Sequence, residues 1–179
     1  MKDILELNEL LNEFEWGYPD ENGTNIVDTD DFEHYRLLSN NDFLKYKMGT
    51  CWDYTNYEAI WFLKHGFVHS MRPLTEGMFC CYYIEDETEQ NHTWLAFMKN
   101  EKVYSFESSW KQYVGVNEYQ NEFEMMRFYA DTFKFDSNSL ETKLWKYMRF
   151  PCIDMDPYDF MQHIRTNGKQ IKKKLKKRY

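Results

Sequence analysis

The change of hydrophobic period at Gly66 constrains this chain more than any other feature of its sequence. From Thr50 to His65 the pattern is helical. Thr50 and Asp53 form a capping box at its start, and Gly66 supplies the left-handed stop. Beyond Gly66 the period is that of strands. Phe67–Leu74, Met78–Ile84, His92–Met98 and Val103–Glu107 alternate, with turn signals at Thr75–Gly77, Glu85–Asn91 and Lys99–Lys102. A helix followed by consecutive strands predicts an α+β fold, with the helix on an antiparallel sheet, and not a parallel α/β one.

The flanks read as helices. Ile4, Leu7, Leu10, Leu11 and Phe14 recur at helical spacing and predict a helix over about residues 2–14. After the polar loop Pro19–Asp31, a helical stretch over Asp31–Leu38 precedes Ser39, which caps a short helix ending near Tyr46. Tyr119–Phe133 is again helical, and Asp156-Pro157 starts a last helix that runs toward the basic tail. Neither a repeat nor a linker divides the chain. Residues 1–168 therefore read as one domain, and Lys169–Tyr179 as a basic C-terminal tail. Aromatics make up 19% of the sequence, enough to fill a core.

The net charge of −8 is unevenly spread. The tail holds seven of the 22 basic residues and no acid, so residues 1–168 carry 15 basic against 30 acidic groups. An acidic body repels phosphate backbones, which makes nucleic acid an unsuitable partner except through Lys169–Tyr179. No 18-residue apolar run spans a membrane, and the acidic, amphipathic start is unlike a secretory signal. The expectation is a cytoplasmic, reduced protein whose four cysteines are thiols. Their spacing forms no disulfide framework and no zinc pair. His65 and His69 have helical metal spacing, but Gly66 interrupts it. No phosphate loop or nucleotide fingerprint occurs, so no cofactor or metal is expected.

Chemistry enters at Cys51. With Thr50 as N-cap, it is the first residue inside a helix, where unpaired N–H groups and the helix dipole favour a thiolate. Gly49 leaves room for a close backbone approach. A thiolate needs a base, and the base needs an orienting group. Of the five histidines, only His92 opens a strongly alternating strand. A two-residue turn at Asn100–Glu101 sets Lys99 opposite Lys102, and by extension Trp94 opposite Glu107. His92 and Glu107 then project from one face as a diagonal pair, and a one-residue slip would separate them.

Gly49-Thr-Cys51-Trp-Asp53 resembles the G-x-C-x-D segment of the transglutaminase-like superfamily. His92-Thr-Trp94 is similar to its H-x-W segment. Glu107-Ser-Ser-Trp110 occupies the place of its D-P-T-W segment, with Glu for Asp and Ser108 for Pro. The match covers about residues 45–115 and extends to a subgroup of small bacterial and phage-type proteins. The resemblance implies a papain-like core, a nucleophile helix on an antiparallel sheet with N- and C-terminal helices. It also implies a Cys51–His92–Glu107 triad acting on a protein or peptide amide. Hydrolysis, deamidation and transglutamination all fit.

In such a site the Cys51 N–H donates to the oxyanion, with Trp16 and Tyr18 as candidates for a second donor. Gly49, Asp53, Trp94 and Trp110 would support it, Asp53 chiefly as a cap and both tryptophans by packing. The same fold without catalysis, acting as an acidic binding or inhibitory protein, is the alternative; a structural or assembly role is a third.

Overall fold

A computed structural model describes residues 2–26, 36–66, 79–85, 91–132, 145–150, 166 and 169–171. Among them are four helices and eight strands, giving an α+β protein. Strands β1 (Glu15–Trp16) and β2 (Met48–Gly49) form a short parallel pair. The remaining six, β3 (Phe79–Glu85), β4 (Asn91–Lys99), β5 (Lys102–Glu107), β6 (Gly115–Tyr119), β7 (Trp145–Phe150) and β8 (Lys169–Ile171), make one antiparallel sheet in the order β6-β5-β4-β3-β7-β8.

Helix α1 (Lys2–Asn12) buries Ile4, Leu7 and Leu11. Its apolar stripe covers one face because residues three and four apart stack on a helix. It ends two residues before the expected limit, although Phe14 remains buried. Lys111 Nζ reaches across to donate to the carbonyls of Leu11 and Asn12 at 3.2 Å, satisfying acceptors that the helix end leaves open. Helix α2 (Asn40–Tyr46) starts where Ser39 accepts from the Asp42 N–H at 3.1 Å, as its sequence predicts. Arg36–Ser39 is not helical, so the stretch expected over 31–38 does not extend that far; its residues 31–35 lie outside the described residues.

Helix α3 (Cys51–Lys64) begins and ends where its cap signals place it, and Gly66 has φ +68°. Phe62 packs on Phe97 and Phe106 at ring separations of 5.7 and 5.6 Å. Leu95 and Phe106 thereby join the cluster formed by α1, α2 and α3. The opposite face of β4 and β5 meets helix α4 (Glu122–Thr132). There Trp94 stacks on Tyr129 at 3.8 Å and donates its indole N–H to Met125 Sδ at 3.5 Å. Met125 and Met126 are buried packing residues, as expected.

The β4–β5 register pairs Lys99 with Lys102 and Leu95 with Phe106, the expected one. Asn100 and Glu101 both adopt positive φ, 51° and 63°, the conformation a two-residue primed turn demands. Three expectations are corrected. Residues 115–119 form strand β6, and α4 starts only at Glu122. There Asn121 Oδ1 accepts from the Glu124 N–H at 3.0 Å, while Glu124 accepts from the Gln120 N–H. The sequence assigned no strand to 145–150, which is β7. The start of the basic tail is not helical, because Lys169–Ile171 pairs with Trp145–Tyr147 as edge strand β8. The strand expected over 67–74 and most of the last helix fall outside the described residues. No helix among the described residues is long and apolar enough to cross a membrane.

Candidate active site

Cys51, His92 and Glu107 come together although they arrive from three elements. Cys51 is the first residue of α3; His92 lies near the start of β4; Glu107 ends β5. Pairing between β4 and β5 stops at Leu95–Phe106, so the two side chains meet just past the paired region. His92 Nε2 lies 2.7 Å from Glu107 Oε2, and the Cys51 side chain acts on the same imidazole, favouring its charged form. Nδ1 is the ring nitrogen left for the sulfur. All three residues are buried, with relative exposures of 7%, 5% and 2%. Cys51 is in no disulfide.

The electrostatics favour a charged imidazole. Burial opposes the cation, but the charge of Glu107 and the hydrogen bonds to Cys51 and Glu107 outweigh it. The His92 pKa is pushed up to about 10. At neutral pH the ring is therefore an imidazolium between a carboxylate and a sulfur.

Glu107 is held at both oxygens. Oε2 faces His92, while Oε1 accepts from the Ser109 N–H at 3.0 Å, the Ser109 hydroxyl at 2.9 Å and the Trp110 N–H at 2.9 Å. The longer side chain of Glu, relative to Asp, lets one oxygen fold back onto its own following turn while the other orients the ring. His92 is also flanked by Trp94 (6.0 Å, nearly parallel), Tyr129 (5.9 Å) and Trp110 (6.1 Å, edge-on).

The supporting residues divide. Asp53 is the cap the sequence predicts: Oδ2 accepts from the Thr50 N–H at 2.7 Å and the Thr50 hydroxyl at 3.0 Å. Its Oδ1 also accepts from the Leu38 N–H at 2.8 Å, tying the preceding segment to the start of α3. Gly49 has a different role from the expected one. A Cβ there would meet Asp53 Cβ at 2.7 Å and Phe43 Cε2 at 2.8 Å, so its missing side chain makes room for the protein's own core.

Trp16 and Tyr18 adjoin the nucleophile through backbone pairing: Trp16 is opposite Gly49, and Gly17 N–H donates to Gly49 O at 3.0 Å. Trp16 is 52% exposed and stands edge-on to Tyr18 at 5.4 Å, so it is not a core aromatic. The Tyr18 pKa is pushed up to about 12 by burial and then by charge on Cys51 and Asp53. Among the described residues no group of three or more His, Cys, Asp and Glu side chains is arranged to hold a metal ion. His65 bonds the Trp61 carbonyl of its own helix at 2.8 Å.

Sequence reasoning missed two residues. Glu58, 1% exposed, receives a hydrogen bond from the Ser108 hydroxyl. Its signal was legible: positions 51, 55, 58 and 62 share one face of α3, so a Glu there occupies a core position. Tyr129 comes from outside the motif region, and nothing in its local sequence marks it. No protein-family model matches the sequence, and no curated protein matches it either.

Proposed function

We propose that the protein is a cysteine acyl-transfer enzyme acting on amides of a protein or peptide, with Cys51 as nucleophile, His92 as base and acid, and Glu107 as the orienting carboxylate. The observation that carries this reading is the buried His92–Glu107 pair, 2.7 Å apart, with Cys51 at the start of α3 acting on the same imidazole. A sulfur beside an imidazolium at a helix start has the surroundings that stabilise a thiolate. The sulfur attacks the amide carbonyl. The Cys51 N–H supports the oxyanion, with Trp16 and Tyr18 as the side-chain candidates for a second donor. His92 then gives its proton to the departing amine, leaving a thioester. Water or an amine resolves the thioester, with His92 taking a proton from the attacking group. The transglutaminase-like, papain-like core fits the same reading. It is supported by the nucleophile helix lying on an antiparallel sheet and by the order Cys, His, acid along the chain.

The test is alkylation by iodoacetamide, with the four cysteines separated by mass spectrometry. Cys51 is expected to react fastest, and to stay reactive at pH 6, where an ordinary thiol of pKa about 8.5 is almost wholly protonated. His92→Ala is expected to abolish the difference. If Cys51 labels no faster than a free cysteine and follows an ordinary thiol titration, the enzymatic reading is lost.

A further inference from the structure

Glu58 is a buried carboxyl group for which the proposed mechanism has no use. It sits two helical turns beyond Cys51 on the same face of α3. From there it accepts a hydrogen bond from Ser108, the residue immediately after Glu107. Burying a carboxyl group away from water is costly, and a Leu at this position would serve packing alone. The location is therefore informative. The bond joins the helix that carries the nucleophile to the turn whose Ser109 and Trp110 N–H groups hold Glu107 Oε1. A proline at position 108, as in the resembling segment, would have no hydroxyl to offer.

We infer that Glu58 is a positioning residue of the Cys51–His92–Glu107 site, clamping the turn after Glu107 to the nucleophile helix through Ser108. The inference rests on the enzymatic reading above. Burial favours the protonated form of Glu58. Burial raises its pKa well above the ordinary carboxyl value; the Ser108 bond lowers it, Glu107 raises it, His92 lowers it and Cys51 raises it. Each triad member is thus close enough to perturb it. A protonated Glu58 adds no second carboxylate beside the Glu107–His92 pair, while its carbonyl oxygen still accepts from Ser108.

The experiment follows the pH dependence of Cys51 alkylation in the full chain for wild type, Ser108→Ala, Glu58→Ala and Glu58→Gln, with melting temperatures recorded beside it. Loss of the clamp loosens the relay, so Ser108→Ala and Glu58→Ala are expected to move the Cys51 midpoint up by about one pH unit. At a pH below both midpoints that slows labelling about tenfold. Glu58→Gln keeps a neutral acceptor and is expected to retain the wild-type midpoint. A purely structural role would lower the melting temperature without moving the midpoint. Should Glu58→Ala fail to fold, Ser108→Ala removes a single oxygen and answers the same question. A reactive wild type with an unmoved Ser108→Ala midpoint overturns the inference alone, as does a Glu58→Gln variant that behaves like Glu58→Ala. An ordinary thiol profile in wild type overturns the enzymatic reading and this inference with it.

Discussion

On the α3 side of the sheet, Leu95, Phe97 and Phe106 close against Phe62 and merge with the cluster built by α1 and α2. On the α4 side, Trp94 lies flat on Tyr129, Ser105 shares a hydrogen bond with Tyr119 at 3.3 Å, and a methionine sulfur accepts from an indole. The first face depends on volume and the second on orientation. Cys51 belongs to the first face, and His92, stacked above Trp94, to the second. The site is therefore assembled where the two layers meet at the end of β4, and damage to either face has a different signature.

The largest effect is expected on the volume-dependent face. Phe62→Ala leaves a cavity between α3 and the sheet and is expected to cost about 3–5 kcal/mol in urea unfolding. Whatever fraction stays folded keeps its fast Cys51 alkylation, since no side chain of the relay is touched. Equal loss of reactivity and stability would erase the distinction between the faces. On the other side, Glu107→Ala leaves the buried His92 without its carboxylate and is expected to cost about 3–5 kcal/mol as well. Here alkylation of Cys51 falls to that of an ordinary thiol even under conditions where the protein is folded.

The pH dependence of stability sharpens the contrast further. His92 has a folded pKa of about 10 against an ordinary value of 6.5. Its contribution is fully present below about pH 6.5 and is lost as pH rises through 10, because between these values only the folded state holds the proton. The urea midpoint is therefore expected to fall from pH 7 to pH 10, and to fall less in His92→Gln. Glu58, also raised, acts in the same direction from the ordinary carboxyl range upward, and Glu58→Gln separates its share. A midpoint that rises over this range would contradict both assignments. The smallest effect is expected from Thr55→Val with Thr93→Val. These hydroxyls share a 3.2 Å hydrogen bond between α3 and β4, and replacing both partners with an apolar group of like shape is nearly neutral, within about 1 kcal/mol. Either single substitution is expected to be worse than the pair.

Much of the site was legible because its geometry follows from local rules. A two-residue turn at Asn100–Glu101 fixes the register of β4 on β5, and the register fixes that His92 and Glu107 share a face. Thr50, Asp53 and Gly66 likewise fix both ends of α3. The unread parts depend on long-range partners. β1 and β2 are two residues each, joined across more than thirty positions by backbone atoms, and leave no side-chain pattern. β6 ran unnoticed into the apolar stretch of α4, although Asn121 and Glu124 marked the true helix start. Edge strand β8 is rich in Lys and Gln, with little to distinguish it from a solvated tail. The two N–H groups and the hydroxyl on Glu107 Oε1 come from a turn whose conformation neither hydrophobic period nor motif spacing encodes.

The short parallel clip between β1 and β2 has a consequence for how such a protein diverges. Its strands are fastened by main-chain groups, Glu15 N–H to Lys47 O at 2.8 Å and Gly17 N–H to Gly49 O at 3.0 Å, with the Lys47–Glu13 ion pair at their margin at 2.7 Å. The side chains of Glu15 and Trp16 are not what fastens it. New surface chemistry can be written at those two positions while the scaffold beneath goes unedited.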